Sequence, residues 1–143
     1  MSYAAKAYAT TKSETDVMAS SSPELILVVF DRLFDHLKAG KNELEAGRYG
    51  IEYFTKASDL ISLGLVIALD EEKGGEIARN LHAIYRWALN TILQARLRKS
   101  PEMIQEVINI LTPIYEGWMT IIPHKTSPHL LKLNPQPSPA TYL

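Results

Sequence analysis

The histidines and carboxylates are the side chains of this sequence that could carry chemistry, and their spacing argues against a metal site. A di-metal site in a helical bundle needs Glu-x-x-His pairs on two helices, and the sequence contains no such pair. Asp31 and Asp35 lie one helical turn apart, but a solvated helix edge explains them better than a catalytic pair does. The absence of cysteine excludes thiolate ligands and thiol nucleophiles. We therefore expect no enzyme activity, catalytic residue, metal or cofactor.

The groups that could hold phosphate are also incomplete. Gly74-Gly75 is not followed by the Lys-Ser or Lys-Thr of a phosphate-binding loop. Arg96, Arg98 and Lys99 lie close to the end of a predicted helix, where the helix dipole favours cations without any ligand. With a formal net charge of −1, the chain is not expected to bind nucleic acid.

The apolar residues do not form a membrane span or an export signal. No stretch reaches the roughly 18 apolar residues that a spanning helix requires, so we expect no membrane insertion. The first residues include no apolar core of a secretory signal, which predicts a cytoplasmic location.

Two copies of one capping pattern indicate how the chain is built. Ser22-Pro23-Glu24 and Ser100-Pro101-Glu102 each place a capping serine before a proline and an acidic residue. Apolar periodicity then predicts an all-α fold, an antiparallel up-down four-helix bundle over residues 22–122. Its helices are predicted at about 22–46, 51–69, 75–98 and 100–122. Residues 1–21 are predicted to form a mobile N-terminal arm, and residues 123–143, which hold five of the eight prolines, a disordered Pro-rich tail.

Two of the predicted helices carry more apolar surface than a small bundle can bury. From Leu60 to Leu69 only Ser62 and Gly64 are not apolar, and Leu25 to Phe30 are apolar throughout. A helix on the surface of a small protein needs one apolar stripe and a polar back. The surplus predicts a protein that covers an apolar segment of another protein, or one that forms a homodimer through the same surface.

The order of residues resembles the FliS family, the flagellin-specific export chaperones. The resemblance spans roughly residues 8 to 120 and rests on these segments: Val17-Met18-Ala19-Ser20-Ser21-Ser22-Pro23-Glu24-Leu25-Ile26, Val29-Phe30-Asp31, Lys56-Ala57, Leu69-Asp70, Gly74-Gly75-Glu76-Ile77-Ala78-Arg79-Asn80-Leu81, Ile84-Tyr85 and Trp118. Tyr8 stands where the family has an N-terminal tyrosine.

The resemblance implies an ATP-independent chaperone of the bacterial cytosol. Members of the family bind the C-terminal region of flagellin, prevent its premature polymerisation and deliver it to the flagellar export gate. The resemblance also implies that the N-terminal arm occupies the binding groove until the client displaces it, through Tyr8, Val17 and Met18.

The candidate client-binding residues combine the arm with helices 1 to 3. They are Tyr8, Val17, Met18, Leu25, Val28, Val29, Leu63, Val66, Ile67, Arg79, Asn80, Leu81 and Tyr85. Each apolar member of the helices could instead belong to the core, and Arg79 and Asn80 could be a solvated edge. The alternative function is a helical-bundle interaction module that self-associates or binds another client through the same surface.

Overall fold

Helices account for every regular element between residues 22 and 121, which are the residues that the computed structural model describes. Helix α1 spans Pro23–Glu45, α2 spans Ile51–Asp59 and passes into a π-helical segment at Leu60–Val66, α3 spans Glu71–Arg98, and α4 spans Pro101–Thr120. The predicted all-α class is therefore confirmed. The predicted N-terminal arm (1–21) and Pro-rich tail (123–143) lie outside the described residues.

The two serine–proline pairs begin α1 and α4, as the sequence predicts. The Ser22 hydroxyl accepts a hydrogen bond from the Leu25 amide at 3.3 Å, and the Ser100 hydroxyl accepts one from the Met103 amide at 3.2 Å. In both helices the proline occupies the first turn, where its missing N–H has no intrahelical partner to lose. Helix α4 then continues through Pro113 to Thr120.

The helices pack as a ring of antiparallel neighbours. Helix α1 contacts α2 and α4, and α3 closes the ring by contacting α4 on one side and α2 with the π-helical segment on the other. Each helix contributes fully buried side chains to one central core: Phe30, Leu33 and Leu37 from α1, Phe54, Ile61 and Leu65 from α2 and the π-helical segment, Tyr85 and Ile92 from α3, and Ile104 and Leu111 from α4. These contacts fit the predicted four-helix bundle.

A cluster of three aromatic rings joins α1 to α4. The rings of Phe30, Phe34 and Tyr115 have centroid separations between 5.6 and 6.0 Å. The Tyr115 hydroxyl donates a hydrogen bond to a carboxylate oxygen of Asp31 at 2.8 Å. Asp31 therefore bonds to α4 and is not simply a solvated helix edge.

The second predicted helix changes its winding partway along. The sequence predicts one helix over 51–69, whereas the structure has α-helical winding only to Asp59 and the wider π-helical winding from Leu60 to Val66. Gly64 lies in this wider part, and a Cβ atom at that position would stand 3.0 Å from Cγ1 of Val29. The glycine thus lets the π-helical segment approach α1 closely.

The third helix begins before the predicted residue 75. Asp70 caps it by accepting hydrogen bonds from the Glu72 and Lys73 amides, both at 3.1 Å. Gly75 then interrupts the helical backbone with φ 55° and ψ −131°, a conformation that side chains with a Cβ rarely adopt. Residues 71–74 are therefore a separate first turn, set at an angle to the long helix that follows.

Candidate functional site

The predicted client-binding residues of the bundle gather at one end of it. Because the helices are antiparallel, the beginning of α1, the π-helical segment, the beginning of α3 and the end of α4 share that end. We call it the proximal end, and it contains the 67–70 turn. The opposite, distal end contains the 46–50 and 99–100 turns.

Several apolar side chains point to solvent at the proximal end. Val28 of α1 is 39% exposed and Leu63 of the π-helical segment is 48% exposed, while Ile67 is also exposed. Leu25, Val66 and Leu81 are half-buried at the boundary between core and surface. These six residues come from α1, the π-helical segment, the turn that follows it and α3, and could contact one bound segment.

Arg79 and Asn80 are the polar members of the predicted set. Both are exposed in the first half of α3. They lie two residues and one residue before Leu81, so they are within reach of a segment bound at the proximal end. This position suits hydrogen bonds to the backbone of a bound peptide as well as plain solvation.

Val29 is part of the core in this structure, so its predicted place in a client-binding surface is not supported by the bundle's geometry. Its side chain is buried against Gly64 of the π-helical segment. Val28, the next residue along α1, points outward instead. Neighbouring positions on a helix differ by about 100° in direction, so one valine of the pair is covered and the other is not.

Tyr85 is likewise a core residue. Its side chain is 1% exposed, and its hydroxyl lies near the side chain of Trp118 on α4. Burial raises the pKa of the Tyr85 hydroxyl well above its ordinary value, and the nearby Trp118 indole N–H, which can only donate, offsets part of that rise. Tyr85 therefore stays neutral in the core between α3 and α4.

Three predicted residues, Tyr8, Val17 and Met18, lie outside the described residues. Their predicted role in the arm remains a prediction. The described chain begins at Ser22, next to α1 and hence at the proximal end.

Ile77 is an exposed apolar residue of α3 that was not among the predicted client-binding residues. In the structure it is 58% exposed in the first turn after Gly75. The signal that could have identified it is Gly75 itself, because a break in the helix changes which residues the core covers. Ile77 joins Val28 and Leu63 as a candidate contact at the proximal end.

Polar contacts fix the start of α3 beside these apolar residues. A carboxylate oxygen of Glu71 lies 2.6 Å from Nδ1 of His82, almost three turns further along the chain. With the Asp70 cap, this contact holds the first turn of α3 back against the helix. The first turn of α3 borders the candidate surface, and these contacts with other residues of α3 hold it in place.

The described residues offer little for metal chemistry or membrane insertion. Between residues 22 and 121 no three His, Asp or Glu side chains lie close enough together to hold a metal ion. Over the same range, none of the helices combines the length and apolar character needed to cross a bilayer.

Comparisons with known proteins agree with the residues that carry the resemblance. The family model described as flagellar protein FliS matches residues 4–125. The chain is 40% identical over 120 residues to the flagellar secretion chaperone FliS of Salmonella typhimurium, covering 82% of this chain and 89% of that protein. It is 32% identical over 123 residues to the protein of the same name from Escherichia coli K12, covering 81% and 89% of the two chains. For the Vibrio cholerae protein of that name the identity is 30% over 120 residues, covering 82% and 88%. The chain, matched along its whole bundle, belongs to the FliS family.

Proposed function

We propose that this protein is a cytoplasmic, ATP-independent chaperone that binds the C-terminal segment of flagellin at the proximal end of the bundle. Binding would prevent premature polymerisation, and the complex would then pass to the flagellar export gate. Membership of the FliS family supports the chaperone role, because its curated relatives are named flagellar secretion chaperones.

The observation that carries the binding site is the exposure of apolar side chains on three adjoining elements. Val28, Leu63 and Ile77 are each more than a third exposed, and half-buried Leu25, Val66 and Leu81 extend the apolar surface between them. Each such side chain stabilises a complex when a partner covers it, by roughly 25 cal/mol for each Å² of apolar area removed from water. A surface of this kind suits the apolar stripe of an amphipathic helix.

A client that is disordered when free fits a chaperone that must later release it. Ordering the client on binding costs free energy, and that cost offsets part of the favourable apolar contacts. Arg79 and Asn80 would bond to backbone groups of the client that its own helices leave unpaired.

The direct test is calorimetric titration of the full chain with a peptide from the C-terminus of flagellin, in buffer without nucleotide. We expect one-to-one binding with a negative heat-capacity change, because apolar surface is buried. Exchanging both Val28 and Leu63 for serine should weaken binding at least roughly tenfold, since each loses about 1 kcal/mol of apolar contact.

Leu97 provides the matched control for that double variant. It lies near the end of α3 at the distal end and is 70% exposed, so L97S removes a similar apolar side chain from the other end of the bundle. We expect L97S to bind the peptide as the wild-type chain does. Equal loss of affinity in L97S and in V28S/L63S would rule out a site confined to the proximal end.

The arm has its own test. If Tyr8, Val17 and Met18 compete with the client for the proximal end, their replacement by serine should change peptide affinity without changing the unfolding midpoint. Unchanged affinity would remove the arm from the proposed mechanism while leaving the bundle site intact.

Self-association through the same surface would support the alternative function, a helical-bundle module that binds a second copy of itself. Sedimentation analysis of the full chain, with and without the peptide, distinguishes binding of flagellin from self-association. A dimer that V28S/L63S dissociates, together with no heat of peptide binding, would show that a second copy covers this surface instead of flagellin.

A further inference from the structure

A second apolar groove lies between α3 and α4, on a different pair of elements from α1 and the π-helical segment, which carry Val28 and Leu63. Ala83, Ile84 and Trp87 form its α3 wall, and Glu106 and Ile110 form its α4 wall. Trp87 and Ile84 are half-buried, while Ile110 is exposed. The groove is thus lined by large apolar side chains that the bundle covers incompletely.

The face of α4 that borders the groove stays mainly apolar toward the end of the described chain. Ile114, Gly117 and Ile121 follow Ile110 at intervals of four, three and four residues, which is the spacing of one helix face. A Cβ atom at Gly117 would meet nothing within 4 Å, so the surface there is open. Ile121, the last described residue, is exposed. The described chain therefore ends on the face of α4 that borders the groove.

The charges of α4 and of the following segment are complementary. Between Pro101 and Thr120, α4 carries three glutamates and no lysine or arginine. Residues 122–143 carry two lysines, Lys125 and Lys132, and no acidic residue. A segment with this charge is attracted to α4 and would place a lysine near Glu106 on the groove wall.

The same segment holds a compact apolar group at a suitable distance. Leu130, Leu131 and Leu133 begin nine residues after Ile121. Ile110 lies eleven residues before Ile121, roughly 16 Å back along the helix axis. Nine extended residues span up to about 30 Å, so the leucines can reach Ile110 and Trp87 with slack for the turn.

We propose that the α3–α4 groove binds this chain's own C-terminal segment, with Leu130, Leu131 and Leu133 against Ile84, Trp87 and Ile110. Lys132 then lies beside Glu106. The groove lies between α3 and α4, whereas the exposed residues Val28 and Leu63 lie on α1 and the π-helical segment, so this contact does not depend on the proposed binding of flagellin.

Trp87 reports on the contact directly. The chain has two tryptophans, and the other, Trp118, is buried in the core. In the full chain, L130S/L131S/L133S should uncover Trp87 and roughly double the quenching of its fluorescence by acrylamide, as its half-buried indole gains solvent access. A triple variant of prolines in the same segment, P135S/P137S/P139S, is the matched control and should quench as the wild-type chain does. In a W87F background the difference between the leucine variant and wild type should vanish.

The cysteine-free sequence allows a second, independent measurement. In the full chain, the pair A83C and L131C should form an intramolecular disulfide under mild oxidation, because both residues lie in the proposed contact. The pair T55C and L131C is the control, since Thr55 is exposed on α2, outside the groove.

Three results would overturn the proposal. Unchanged quenching in the leucine variant would show that the groove is not covered by these residues. Equal rates of disulfide formation in the two cysteine pairs would show that the segment has no preferred place. Disulfide-linked dimers that form from A83C/L131C in place of the monomeric product would show that the segment binds the groove of a second copy.

Discussion

The distal turns and the proximal turn of this bundle are held in different ways. At the distal end, Nζ of Lys99 in the α3–α4 turn donates a hydrogen bond to the Gly47 carbonyl at 2.9 Å and stands 4.0 Å from the centroid of the Tyr49 ring. One turn is thus bonded to the other. At the proximal turn, the contacts shown for Asp70 and Glu71 are made with α3 itself.

Exposure of single apolar residues does not separate the two ends. Leu97 at the distal end is more exposed than Leu63 at the proximal end. The difference lies in the backbone around them. The distal turns connect regular α-helices, whereas the proximal turn lies between a π-helical segment and the broken first turn of α3. The distal end is therefore the part where one turn is tied to the other, and the proximal end, where the proposed client-binding surface lies, has the less regular backbone.

The largest effect should come from filling a glycine in the distal half. A Cβ atom at Gly40 would stand 2.5 Å from two ring atoms of Phe54, which is fully buried. Because that ring cannot move without disturbing the core, G40A should lower the free energy of unfolding by about 2 kcal/mol. At Gly64 the nearest atom is 3.0 Å away on Val29, and alanine gains about 0.5–1 kcal/mol of helix propensity, so G64A should be close to neutral.

Urea unfolding followed by circular dichroism measures both variants. Equal losses in G40A and G64A would mean that the π-helical segment is packed as tightly as the distal half, and the contrast between the two ends would fail.

A smaller effect is expected at the contact between Tyr85 and Trp118. Y85F removes a buried hydroxyl that lies near the Trp118 indole, which should lower the free energy of unfolding by about 1 kcal/mol. Because Tyr85 is buried, the affinity for the flagellin peptide should not change. Reduced affinity at unchanged stability would place Tyr85 in the binding surface and contradict its assignment to the core.

The distal link through Lys99 should contribute less. Lys99 has φ 50°, a left-handed backbone conformation that costs residues with a Cβ about 1 kcal/mol. K99M keeps that strain and loses the contacts with Tyr49 and Gly47, so we expect a loss of about 0.5–1 kcal/mol. K99G relieves the strain while losing the same contacts and should therefore be nearly neutral. A fully stable K99M would show that the two turns do not need this link.

The smallest effect concerns the free energy of unfolding at acidic pH. Hydrogen bonds from Arg48 lower the pKa of the Glu43 carboxyl below its ordinary value. The pair therefore adds stability above the pKa that Glu43 has in the unfolded chain, and this contribution is lost as the pH falls through the folded value. E43Q should flatten the acid side of the profile of unfolding free energy against pH. An identical slope in E43Q and wild type would show that this exposed pair does not fix the distal turn.

Sequence patterns alone predicted the helical framework for a local physical reason. A capping serine followed by proline acts on the first turn of its own helix, so Ser22-Pro23 and Ser100-Pro101 can be interpreted without knowledge of neighbours. Apolar periodicity likewise gives the direction of each side chain around its own helix. The all-α class and the four helices follow from information of this kind, whereas the resemblance to the FliS family rests on the order of particular residues along the chain.

Tertiary packing determined which residues at the boundary between core and surface are buried. Val28 and Val29 are the same residue type at adjacent positions, and the close approach of Gly64 is what covers one and leaves the other exposed. Tyr85 belongs to the core because side chains of other helices, Trp118 of α4 among them, enclose it. The sequence alone specifies the apolar pattern of each helix. Whether a given side chain is buried also depends on the neighbouring helix, so only the packing of the helices in three dimensions determines it.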